Sequence, residues 1–328
     1  MNATKLAAWN EGMMETREVG STGVAVSVVG IGTFPMGGLD SKEGLGCGWG
    51  GVDDDTSIRV LHRAEELGIN LVDTADIYGN GHSEEVIGRA LAGRRDRWVI
   101  ATKVGLVKDP NRRGRLEDFS GDHIRSACEQ SLHRLRTDAI DFYQLHGTPP
   151  REMIPQVVEA LRRLQTAGKI RFWGISTASP EDVIALQQHG AVDVVQVGYS
   201  LVDRSEQPLL EYCAKECLGT FIRTPLSRGA AFGKYASQAA PTFEWGDNRH
   251  GMSAENLLEQ HRPGLKFSFL WDDTGRSPVQ AALRFVLDQP GVTAAIPGMK
   301  TIAQLEDNAA AGCLSPLTSL EQERCAPV

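Results

Sequence analysis

The chain has 328 residues, 41% hydrophobic and 23% charged, a composition that suits a globular protein with a large core. Its formal net charge is −8 and its basic residues are scattered, which argues against a nucleic-acid partner and means that an anionic ligand needs a local positive site. No apolar run approaches the roughly 18 residues needed to cross a membrane.

The opening segment MNATKLAAWNEGM has neither the charged nor the apolar region of a signal peptide. Residues 1–13 therefore read as a disordered tail, residues 14–328 as one folded domain, and the cytoplasm as the expected location. The six cysteines, Cys47, Cys128, Cys213, Cys217, Cys313 and Cys325, form no CxxC pair. Cys213 and Cys217 would share a helix face, but no His or acidic residue stands at ligand spacing. Reduced thiols and no metal site are expected.

Taken in chain order, METREVGSTGVA (residues 14–25) alternates polar and apolar residues about a Gly-Ser-Thr-Gly turn, the pattern of a hairpin capping a barrel floor. Eight short apolar runs rich in Val and Ile follow, at 26–32, 70–73, 98–103, 140–146, 170–176, 192–198, 219–224 and 292–297. Unbroken apolar runs suit parallel strands covered on both faces. Segments with helical period lie between them. TSIRVLHRAEELG places Ile58, Leu61, His62 and Leu67 near one face and ends on Gly68. Two later helices open on Ser-Pro pairs, Ser179-Pro180 and Ser277-Pro278, where Ser caps and Pro fills the first turn.

Strand-then-helix units with no internal linker predict a closed (β/α)₈ barrel. The alternative, an open doubly wound sheet, lacks its Gly-rich fingerprint: GIGTFPMGG (30–38) follows the first run but opens no helix. Residues 225–276 form a long segment without a clear strand. Barrel active sites lie at the C-terminal strand ends, so this segment is expected to cover one. Polar residues end the runs in turn: Asp73, Lys103, His146, Ser176, with Gln196 and Arg223 near the ends of the sixth and seventh. Tyr78 follows Asp73 by five residues.

These residues carry a family resemblance. NLVDTADIYGNGHSEEVIGRAL, SLHRLRTDAIDFYQLH and IPGMKTIAQLEDN stand in the order of three motifs of the aldo-keto reductases, and the chain resembles that family from about Met14 to Ala311. The resemblance implies a barrel that binds nicotinamide without a Rossmann loop and reduces an aldehyde or ketone. Tyr78 matches the family's proton donor. A phenol with a pKa of about 10 is a poor acid at neutral pH, and a cation beside it improves it. Lys103 matches that cation, held by Asp73, and His146 matches the group that polarises the substrate carbonyl.

Ser176 and Gln196 match the residues that hold the nicotinamide amide. Thr177 joins them, where many members have Asn. Gly32 and Thr33 are further cofactor-binding candidates, and Arg223 stands where some relatives stack an aromatic on the nicotinamide, which a planar guanidinium also does. In PLSRGAAFGKY, which resembles the pyrophosphate loop, Pro225, Leu226, Ser227, Gly229, Gly233 and Lys234 are candidates, with Arg249 closing over them. Gly298, Lys300, Gln304, Asp307 and Asn308 match the adenosine end. Lys300 suits a 2′-phosphate, which favours NADPH over NADH, although Gly298 replaces a more usual Lys.

Phe34 and Trp49 are candidate substrate walls, with Trp245 and Trp271 as further ones. Asp76 and His82 either read a sugar hydroxyl or cap the helix expected from Ser83. The resemblance also admits a slow nicotinamide-binding regulatory subunit and a sugar dehydrogenase working oxidatively. Partners beyond a small carbonyl substrate, and oligomeric state, are not encoded legibly.

Overall fold

The computed structural model describes residues 13–38, 51–109, 115–236, 243, 247 and 250–326. All but Met13 of the expected N-terminal tail lies outside them, as do Cys47, Trp49, Trp245 and Arg249.

Eight parallel strands make one sheet: β3 (Ile31–Gly32), β4 (Leu71–Asp73), β5 (Val99–Val104), β8 (Ile140–Leu145), β9 (Ile170–Ser176), β10 (Val194–Gly198), β11 (Gly219–Arg223) and β12 (Ala294–Ala295). Parallel bridges Val29↔Ala295 and Gly32↔Gly298 join the two edge strands and close the ring. Closure removes both sheet edges, the expected (β/α)₈ solution. Two hairpins stand outside it. β1 (Thr16–Glu18) and β2 (Ala25–Ser27) pair antiparallel, as the Gly-Ser-Thr-Gly turn predicts. The run 26–32, expected as one strand, therefore divides: its start belongs to the floor hairpin, and its end, from the Val29 bridge to the strand Ile31–Gly32, joins the barrel. The second hairpin, β6 (Leu106–Lys108) with β7 (Arg115–Glu117), had no signal in the apolar pattern, because its strands are partly or largely exposed.

Side chains alternate along each barrel strand, so every second residue points inward. Leu71, Val99, Ala101, Phe142, Val194, Phe221 and Ala294 fill the interior together with Val19, Val24 and Val26 of the floor hairpin. One step further up the same inner faces come Asp73, Lys103, Gln144, Gln196 and Arg223. An apolar stack thus ends in a polar layer at the C-terminal rim, and period two explains why these residues converge.

The helices bury one stripe each against the outer face. In the helix Ile154–Thr166, Ile154, Val157, Val158, Leu161 and Leu164 are buried, a core-facing stripe of helical spacing. Ser277 forms a full capping box with Gln280. Ser179, expected to do likewise, instead turns its hydroxyl to Glu181. The helix expected from Ser83 begins at His82 after a left-handed Gly81, with no side-chain cap. Cys217 lies beyond the helix Gln207–Lys215, at a positive φ, so it does not share a face with Cys213. Among the described residues no helix is long and apolar enough to cross a membrane.

Candidate active site

Asp73, the last residue of β4, is 2% exposed. The Lys103 ammonium donates to its Oδ1 at 2.6 Å and to the Thr74 carbonyl at 2.7 Å. Lys103 also stands beside Tyr78, its Nζ 5.1 Å from the centre of the phenol ring, close enough for its charge to act on the phenol. His146 meets Tyr78 edge-on with ring centres 5.9 Å apart, and Phe34 does so at 5.2 Å. The four polar residues and the aromatic wall singled out from the sequence are therefore neighbours.

The loop after β4 presents Tyr78. Gly79 sits at φ 60° and Asn80 at φ 54°, left-handed conformations that let the chain reverse at once into the next helix. Gly79 is required twice, because a Cβ there would also run into the carbonyl oxygen of Gly37. Gly32 answers to the same logic on the other side, since a Cβ would come within 2.6 Å of the Ile296 carbonyl.

Burial would strip Lys103 of its charge, but Asp73 and Tyr78 outweigh it and hold the ammonium above the ordinary lysine range. Tyr78 departs from the sequence expectation. Burial is the largest influence and raises its phenol above 10, with Lys103 pulling the other way; a cation alone does not make it a stronger acid in a dry site. His146 is held well below its ordinary value by burial and by Lys103, Arg115 and Arg223. It is a neutral imidazole at physiological pH, able to donate one hydrogen bond to a polarised oxygen.

Above the tetrad opens a cavity of about 520 Å³. Asp73, Tyr78 and His146 form its floor, with Phe34 and Gly32 beside them. Ser176, Gln196 and Arg223 follow, then Pro225, Leu226, Gly229 and Lys234 of the loop after β11. Gly298, Lys300, Gln304, Asp307 and Asn308 also line it. Most of the candidates thus line one cavity.

Several do not reach it. Thr33 is fully buried, donating to the Asp73 carbonyl and accepting from Ser83. Thr177 gives its hydroxyl to Asp182 at 2.6 Å and also contacts Thr148. Ser227 pairs with Ser200, and Gly233, at φ 68°, serves the turn against Leu265. Both threonines were singled out for their sequence position, but each side chain points into a local hydrogen-bond network. Gly229 lines the cavity, yet its N–H is spent on the Leu226 carbonyl. Asp307 accepts from Ser277 and Gln280 at the start of the neighbouring helix. Trp271 packs on the core instead of walling the cavity. His82 pairs with Asp54. Sequence reasoning missed Arg228, Phe232 and Tyr235 on the loop after β11 and Val279 opposite. Only Arg228 had a legible signal, a charge within PLSRG.

The cavity suits a nicotinamide dinucleotide. Arg223 pairs with Glu206, but its buried Nε has no partner among the described residues. Ser176 and Gln196 line the same space, and Arg228, Lys234 and Lys300 put cations along it in a chain whose net charge is negative.

Fold and site together define a closed (β/α)₈ barrel with a buried Asp–Lys pair at the C-terminal rim of its strands. Residues 30–327 match the model of the aldo/keto reductase family, and the chain belongs to that family of NAD(P)-dependent enzymes. It is 34% identical to the aldo-keto reductase YhdN of Bacillus subtilis over 308 residues, covering 89% of this chain and 87% of that one. Among solved structures, the glycerol dehydrogenase AKR11B4 of Gluconobacter oxydans superposes with a TM-score of 0.80 at 31% identity, covering 95% and 94%. An aldo-keto reductase of Klebsiella pneumoniae in complex with NADPH gives 0.71 at 26% identity, covering 95% and 94%.

Proposed function

We propose that the protein is an NADPH-dependent reductase of aldehydes or ketones in which Tyr78 donates the proton. The contact chain Asp73–Lys103–Tyr78, ending beside a neutral His146 at the cavity floor, carries this reading. A bound reduced nicotinamide supplies the hydride. The chain's own groups do the rest. The His146 N–H orients the carbonyl oxygen and polarises it as negative charge develops. Tyr78 gives its proton to that oxygen, and Lys103 stabilises the phenolate left behind, its own charge kept by Asp73. Ser176, Gln196 and Arg223, which line the cavity beside this contact chain, fix the ring in this reading. Lys300 lines the same cavity and supplies the cation that a 2′-phosphate needs, and the Klebsiella relative binds NADPH.

The test is an NADPH-oxidation screen of the purified protein over aromatic aldehydes, simple ketones and keto-sugars. Tyr78→Phe should lower kcat/KM by about 10²–10⁴-fold while leaving cofactor affinity intact, the usual contribution of a general acid. Near-normal turnover in that variant refutes the assignment. Absence of turnover on every carbonyl, with tight NADPH binding, favours a regulatory role.

A further inference from the structure

The polar layer holds one group that the proposed reaction does not use. Gln144 lies on the inner face of β8, in register with Lys103, is fully buried and does not line the cavity. Its Nε2 donates to Oδ2 of Asp73 at 3.3 Å, and its Oε1 is buried with no partner among the described residues. Gln196 donates to the same Oδ2 at 2.5 Å, while Lys103 takes Oδ1. The two carboxylate oxygens are thus divided: one faces the ammonium, the other is shared by two amides.

An orphaned buried amide oxygen is costly, on the order of 1–3 kcal/mol. An apolar side chain of equal size would avoid that cost here, as Phe142 does one layer below on the same face. Packing therefore does not account for an amide at this position. Its hydrogen bond to Asp73 does, because donors to a carboxylate disperse its charge.

We propose that Gln144 is a positioning residue for proton transfer: its amide, given to Oδ2 of Asp73, governs how much of the carboxylate's charge reaches Lys103 and Tyr78. This rests on the reading of Tyr78 as proton donor. Tyr78 is faced by Asp73 from β4, Lys103 from β5, His146 after β8 and, more distantly, Arg115 from β7. Withdrawing the amide has the same sign by either route. If Asp73 stays ionised, its less dispersed charge opposes phenolate more strongly. If it draws the proton from Lys103, the cation favouring phenolate is gone.

Gln144→Met keeps the volume and removes the donor. With the protein labelled at tyrosine Cζ, NMR titration assigns Tyr78 by the signal missing in Tyr78→Phe. The Tyr78 midpoint in Gln144→Met should rise by about half a pH unit or more, a fraction of what a hydrogen bond to a charged group contributes. The alkaline limb of kcat/KM for reduction should rise with it, cofactor KM staying within about twofold. Gln144→Asn, whose shorter amide cannot reach Asp73, should move the midpoint the same way if the Met variant does not fold. An unmoved midpoint beside a uniformly lower kcat overturns the proposal and leaves a structural role. The NMR arm does not depend on turnover, so a failure of Tyr78 as proton donor registers separately, as retained activity in Tyr78→Phe.

Discussion

Asp76 stands two residues before Tyr78 and outside the cavity lining, and it offers a prediction that can be worked through. Its buried Oδ1 has no partner among the described residues. Burial and the neighbouring Glu84 carboxylate, only partly offset by Arg134, raise its pKa from 3.8 to about 7. Between those values the folded carboxyl holds a proton that the unfolded chain has lost. Folding then takes up a proton, so stability falls as pH rises through that window and levels off above about pH 7. The full difference corresponds to about 4 kcal/mol. Asp76→Asn has the same shape and no charge to bury. Urea unfolding from pH 4 to 8 should show the variant gaining on the parent by about 1.4 kcal/mol per pH unit up to neutrality, then running parallel. Any constant offset at pH 4 reports the amide's own hydrogen bonding and is irrelevant to the slope. A gap that stays flat from pH 4 to 8 refutes the reasoning, since it would mean that Asp76 ionises alike in both states.

Two further substitutions probe the site's scaffold and Lys300. Gly79→Ala places a methyl group against the Gly37 carbonyl at a φ of 60°, so it should destabilise by about 1–3 kcal/mol and lower kcat about tenfold or more by shifting Tyr78; urea unfolding and steady-state kinetics on one preparation check both. Lys300→Met should raise the KM for NADPH by about 10- to 100-fold, the range of a hydrogen bond to a charged group, and leave that for NADH unchanged. An equal rise for both cofactors would place Lys300 on a part they share.

The barrel was legible because its strands are buried on both faces and so appear as unbroken Val- and Ile-rich runs. Where a strand is short or exposed, that signal fails. β3 and β12 are two residues each, and the hairpin β6–β7 carries charged residues on open faces. The catalytic candidates were legible because they end successive runs. The cofactor candidates came from motif resemblance, which places a residue along the chain but does not aim its side chain. Thr33 and Thr177 lie just past the ends of β3 and β9, beside residues that line the cavity, yet their side chains turn into local hydrogen bonds. Gln144 carries no signal for another reason: one polar residue inside IDFYQLH breaks an apolar run without marking its end.

Period two also explains how the site is held together. A charged pair inside a barrel would ordinarily be a liability, since desolvation competes with the attraction. Here the pair lies in the topmost inward layer, so its members point at one another from adjoining strands and the apolar layers beneath exclude water from below. Lys103 finds two oxygens and Asp73 three donors. Tyr78 and His146 come from the loops immediately above and need only reach down to this layer. Dryness, which raises the phenol's pKa, also strengthens the Lys103 charge acting on it. The same burial that makes Tyr78 a weak acid at rest therefore lets Lys103 act strongly once a phenolate forms.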